Sequence, residues 1–233
     1  MAARNANCLV CGEPLAYFEQ AQPVACAVCG KQETGHSLCV AGHYVCDACH
    51  RTQGVGFIME ACRASDAVDP MALASAIMAA KEVYPNGPEH HSLVGAVLLT
   101  CYRNAGGTID LKAALDELRT RSMQVPGGTC GFWGCCGAAM SAGQFCSIIA
   151  GATPLTPEPW AATARLASRI MGRLADMGGP RCCKRSSFAA IEEAVGHVAD
   201  AYGVQMSLPE RITCTFMDGN AECLGRDCPF FPA

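Results

Sequence analysis

Four pairs of cysteine and histidine near the start of the chain constrain its fold more than any other feature. They read Cys8-x2-Cys11, Cys26-x2-Cys29, then Cys39-x3-His43-x2-Cys46-x2-Cys49. Eight ligands in four pairs are what two tetrahedral zinc sites require. In "CLVCGE" and "CAVCGK" a glycine follows the second cysteine and permits the tight turn that aims both sulfurs at one ion. So short a segment has too little core to fold without its metal. The expectation is therefore a zinc-binding module over residues 1–51 that holds two Zn2+ ions.

Two pairings satisfy the spacing. A cross-braced module joins Cys8, Cys11, Cys39 and His43 on one ion and Cys26, Cys29, Cys46 and Cys49 on the other. A sequential module joins the first two pairs and the last two. "CVAGHYVCDAC" resembles the heart of RING-type fingers, which favours cross-bracing. His50 is an alternative to His43, and His36 reads as solvent-exposed. Cys46 and Cys49 open a segment with helical character, which completes a treble-clef type of site.

The rest of the chain differs. Residues 52–208 are rich in Ala, Leu, Ile and Met at helical spacing. Asp69 followed by Pro70, Asp110, and Thr156 followed by Pro157 mark helix starts, while Gly106 and Gly178 mark ends. "RSSFAAIEEAVGHVADAYG" is apolar at Phe188, Ile191, Val195 and Val198, near a period of 3.6. "RITCTF" is the best strand candidate. The fold class is mainly α: a helical domain preceded by a small cross-braced, treble-clef-like zinc module. A cysteine-bearing tail over residues 209–233 follows.

The chain has 18 cysteines in 233 residues, yet its N-terminus shows no apolar signal core and no stretch long enough to cross a bilayer. A cytoplasmic chain keeps its thiols reduced, so the pairs read as metal ligands or reactive thiols, not as disulfides. Formal net charge is −4, with no basic run, which argues against a nucleic-acid partner.

Three further groups carry candidate chemistry. In "GGTCGFWGCCGAAMSAGQFCS", Cys130, Cys135 and Cys136 precede a helix that begins near Gly134 or Gly137; there the helix dipole favours a negative sulfur. "GGPRCCKRSSF" places Cys182 and Cys183 at another helix start, among Arg181, Lys184 and Arg185, a setting in which a thiol ionises readily. Cys130, Cys136, Cys182 and Cys183 are thus the candidate ligands of a central iron–sulfur cluster. The tail offers Cys214, Cys223 and Cys228-Pro229. A cysteine before proline is familiar from iron–sulfur ligation. These three either clip the tail to the main domain through a metal or add ligands to the central site. "NGPEHHSL" contributes Glu89, His90 and His91 as candidate acid–base residues. Adjacent helical positions point about a hundred degrees apart, so one histidine is expected buried and one exposed. Cys62, Cys101 and Cys146 read as small core residues.

"CLVCG…CAVCG…GHYVCDACH", "GPEHH", "GTCGFWGCCGAAMSAGQF…GATPL", "GGPRCCKRSSF" and "CLGRDCPFFP" together resemble domain-of-unknown-function family 5714 along nearly the whole chain. The resemblance implies a cysteine-rich protein of an anaerobic bacterium or methanogenic archaeon. It also implies company with methyltransferase domains, but no activity.

Three functions are open to such a sequence. An iron–sulfur enzyme bound by three cysteines keeps one iron open to a small anionic or sulfur-containing substrate, as in desulfidase-like or dehydratase-like chemistry. A non-catalytic carrier of metal or cluster would serve a methyltransferase or redox protein. A thiol relay would use Cys182 and Cys183 without iron.

Overall fold

A computed structural model describes residues 8–218 and 220–232. Among them lie a two-stranded sheet and eight α-helices. The sheet is an antiparallel hairpin, β1 (Leu15–Ala25) against β2 (Gln32–Cys39), with its register shifted between Tyr17 and Gln22. It stands within the zinc-module segment, where the sequence reading names no strand. The segment "RITCTF" is in turn irregular. Its Cys214 N–H does reach the Phe230 carbonyl at 2.7 Å, but no strand lies alongside to extend that bond into a ladder. The hairpin has a partner because both of its ends are fixed by ligand pairs, whereas "RITCTF" has β propensity without one.

The helical body follows. Helix α1 (Asp47–Ala64) begins directly behind Cys46. Helix α2 (Pro70–Met78) is capped by the Asp69 carboxylate, which accepts from Met71 N and Ala72 N. Helix α4 (Leu111–Ser122) is capped by Asp110, which accepts from Ala113 N. Helix α7 (Pro157–Met177) starts after Thr156, as expected, although the Thr156 hydroxyl accepts from Thr153 N rather than from the helix. Helices α3 (His90–Asn104), α5 (Thr129–Phe132), α6 (Gly137–Ala150) and α8 (Cys183–Tyr202) complete the body.

Helix α3 is the axis. Every residue from His90 to Tyr102 is buried, because α1, α2, α4, α6 and α8 all pack against it. A helix that is apolar on all sides belongs inside. The expectation of one buried and one exposed histidine fails for that reason: His90 and His91 are both buried. Helix α7, by contrast, buries mainly Leu166 and Ile170 and lies outside against α6 and α8. Cys62, Cys101 and Cys146 are fully buried core residues, as their positions suggest.

The contact between α3 and its neighbours is close at Gly95. A Cβ there would stand 2.7 Å from a Leu118 methyl and 2.9 Å from the Ser141 carbonyl oxygen, while the Gly95 N–H donates to the Ser141 hydroxyl at 2.8 Å. Gly95→Ala is therefore expected to destabilise the body by about 1–3 kcal/mol, the cost of overpacking. A lowered urea midpoint at unchanged m-value is the reading that checks it.

Candidate metal centres

The N-terminal ligands converge as a cross-brace. Cys8, Cys11, Cys39 and His43 form one group, and Cys26, Cys29, Cys46 and Cys49 the other; within each, the ligand atoms lie within 4.8 Å of one another. Cys11 and Cys39 sulfurs are 3.4 Å apart, Cys29 and Cys46 sulfurs 3.7 Å, and His43 Nδ1 is 3.3 Å from the Cys11 sulfur. A tetrahedron with zinc–sulfur arms of about 2.3 Å has edges near 3.8 Å. His50 is not a ligand: it stacks on Tyr84 with ring centroids 3.3 Å apart. His36 is exposed, as expected.

Local backbone explains the aim of the sulfurs. Gly12 and Gly30 adopt φ of 78° and 73°, a left-handed turn that only glycine makes without strain. Peptide N–H groups then point at sulfur. Val10 N–H donates to Cys8 at 3.4 Å, Ala41 N–H to Cys39 at 3.3 Å and Cys46 N–H to Cys26 at 3.3 Å. The last bond, before any other cause, holds Cys26 down at about 6. Cys49 goes the other way, up to about 12, chiefly because it shares a hydrogen with Cys29. Four thiols this close cannot all be anions unless a cation stands among them. The donors, their spacing and their protonation all fit a Zn2+ ion in each group.

Glu89, His90 and His91 sit at the N-terminal end of α3, facing inward. Glu89 has no exposed surface; its Oε1 accepts from Tyr84 N–H at 2.9 Å, and burial pushes its carboxyl up. The Gly87 carbonyl stands 3.2 Å from His90 Nδ1, so that nitrogen carries the hydrogen, and Nε2 accepts from Lys184 Nζ at 3.3 Å. Lys184 Nζ also donates to the Met78 and Tyr84 carbonyls, both at 3.3 Å. Its three hydrogens are thereby used, and burial brings its pKa down to about 8. His91 is 3.3 Å from the Val125 carbonyl and lies flat on Gly137, where a Cβ would come within 1.9 Å of its ring. The network ties α3, α8 and the α2–α3 loop together around the buried Lys184 amine.

The cysteines of the body divide into separate surroundings. Cys130 is exposed on α5, beside exposed Phe132 and Trp133. Cys136 is the N-cap of α6, and Cys183 opens α8. Cys183 does not ionise readily, contrary to the expectation from its basic neighbours: burial pushes it up to about 12. Those neighbours are engaged elsewhere, since Lys184 points into the carbonyls just described and Arg185 donates to the Gly178 and Pro180 carbonyls at 2.8 Å. Cys182, the N-cap of α8, turns towards the tail, where Cys214, Cys223 and Cys228 share its cavity. The sequence left open whether those three join the central site; the tail's return across α8 brings them to Cys182 alone of its four candidates.

Beside that cavity a cleft of about 630 Å³ runs between the hairpin and the body. Tyr17 and Ser37 line one side, Lys81, Tyr84 and Arg181 the other, with Glu222 from the tail. Among the described residues no helix is long and apolar enough to cross a membrane.

Zinc analysis is expected to return two ions per chain. Cys26→Ser should release one and spare the other, because the two ligand sets share no residue. Loss of both ions together in a chelator titration would contradict that independence. Lys184→Met is expected to destabilise the body by about 1–3 kcal/mol, because it leaves the Met78 and Tyr84 carbonyls and His90 Nε2 buried without their donor. A lowered thermal midpoint is the reading that checks it.

No curated protein and no solved structure matches the chain. The family of unknown function DUF5714 matches residues 58–231, a span that opens within α1 and takes in the helical body and the tail. With three quarters of its length so matched, the chain belongs to the DUF5714 family.

Proposed function

We propose that this metal-binding protein carries zinc in its N-terminal module and an iron–sulfur cluster in its body, and that a small anionic or sulfur-containing molecule binds in the cleft between them. One observation carries the reading: a cleft walled partly by the metal-stabilised hairpin shares Lys184, Phe216 and Asn220 with a cavity lined by four cysteines. A ligand in the cleft would lie one side chain away from those thiols. Lys81 and Arg181 on its rim would meet a negative group.

A second reading has its own support. Glu89, His90 and His91 are spent on buried hydrogen bonds and do not line the cleft, so the acid–base set expected from sequence supplies no proton there. That favours the protein as a non-catalytic cluster carrier or a module for a redox or methyltransferase protein.

Anaerobic reconstitution with ferrous iron and sulfide is expected to add iron beyond the two zinc ions and an absorbance near roughly 400 nm. Under the first reading, added sulfide or a small thiol acid perturbs that spectrum; under the second it does not. A reconstituted protein that holds zinc alone contradicts both.

A further inference from the structure

The sulfur groups of the tail deserve comparison with those of the N-terminal module. In the module, peptide N–H groups two residues on donate to Cys8 and Cys39. The same bond recurs twice in the tail. Phe216 N–H donates to the Cys214 sulfur and Gly225 N–H to the Cys223 sulfur, each at 3.4 Å. Cys182 accepts two more, from Arg185 N–H and from the Asn220 side-chain amide, both at 3.5 Å. Bonds of this kind stabilise sulfur as an anion, and a thiol needs none of them.

These sulfurs face one space. Cys182, Cys214, Cys223 and Cys228 line a largely enclosed cavity of about 20 Å³, larger than the roughly 10–15 Å³ that a single water centre occupies. The other walls are mainly apolar. Phe188 of α8 meets Phe230 and Phe216 of the tail at centroid distances of 5.6 and 6.4 Å.

The spacing of the sulfurs selects the occupant. A single zinc or iron ion holds its sulfurs about 2.3 Å from its centre, and so about 3.8 Å from one another. The module shows that closure, with ligand atoms drawn within 4.8 Å of one another; the four tail-side sulfurs are not gathered in that way. Four thiols that face one space without being drawn to single-ion spacing, and that are supplied with N–H donors, suit a polynuclear iron–sulfur core.

We infer that Cys182, Cys214, Cys223 and Cys228 are the four ligands of a [4Fe–4S] cluster, and that Cys130, Cys136 and Cys183 are not. The inference rests on the proposal that the body holds an iron–sulfur cluster, and it gives that cluster its ligands. With four protein thiolates it has no open iron. It does not, then, activate a substrate on iron.

The test uses the full chain, reconstituted anaerobically with ferrous iron and sulfide. Wild type is expected to gain about four irons per chain above its zinc. Cys214→Ser and Cys223→Ser should each lose most of the iron and its absorbance while keeping both zinc ions and the helical circular dichroism. Cys130→Ser, Cys136→Ser and Cys183→Ser should keep iron at the wild-type level. Asn220→Ala leaves all four thiols in place. It should keep the iron but lower the reduction potential, because it removes an N–H donor to Cys182. Loss of iron from the Cys130, Cys136 or Cys183 variants, with Cys214→Ser and Cys223→Ser unaffected, would overturn the ligand assignment and leave the cluster standing. A third zinc or a single iron lost on Cys223→Ser would overturn the cluster in favour of a mononuclear site. A wild type that takes up no iron would remove the underlying proposal as well.

Discussion

Thiolates repel one another, and this protein brings them together repeatedly. In the N-terminal module the crowding is plain: within each ligand group the donor atoms lie within 4.8 Å of one another. A cation among the donors removes the conflict and turns it into attraction. For a hairpin whose strand residues are mostly exposed, that attraction replaces the apolar core it lacks. A cation held there would couple metal binding to folding.

The helical body solves a different problem. Its axis, α3, is buried on all sides, and at its N-terminal end it brings in a carboxylate, two histidines and the lysine of α8. Buried charge is tolerable only when paired and hydrogen-bonded. Lys184 finds three acceptors, while Glu89 has a peptide N–H on one oxygen, none on the other, and a carboxyl that burial pushes up towards the neutral form. The network fixes where α8 begins. It therefore fixes Cys182, the residue from which the cysteine-lined cavity is built, and the Lys184 and Tyr84 walls of the cleft. Residues chosen from sequence as acid–base candidates act here as positioning groups.

Sequence carried some of this clearly and some not at all. The ligand spacing and the RING-like "CVAGHYVCDAC" led to the right cross-brace, because short ligand pairs encode local geometry. Helix starts at Asp69 and Asp110 were legible because a capping carboxylate acts within three residues. The hairpin was not legible, since "LAYFEQAQPVA" owes its strand to the ligands that pin it rather than to its own alternation. The basic run around Cys183 misled for a related reason: sequence shows that Lys184 and Arg185 are near, but not that their charged ends are turned to carbonyls. The grouping of Cys182 with the tail depends on tertiary return of the chain, held by the Phe188–Phe230 contact and the Cys214–Phe230 backbone bond.

The claim beneath all of this is that sulfur and nitrogen donors distant in sequence are gathered around cations. Zinc-edge X-ray absorption on the purified protein reads it most directly. The account predicts a first shell of seven sulfurs and one nitrogen shared between two ions, with sulfur at about 2.3 Å. A shell dominated by oxygen, or one whose sulfur count falls well short of seven, would contradict it.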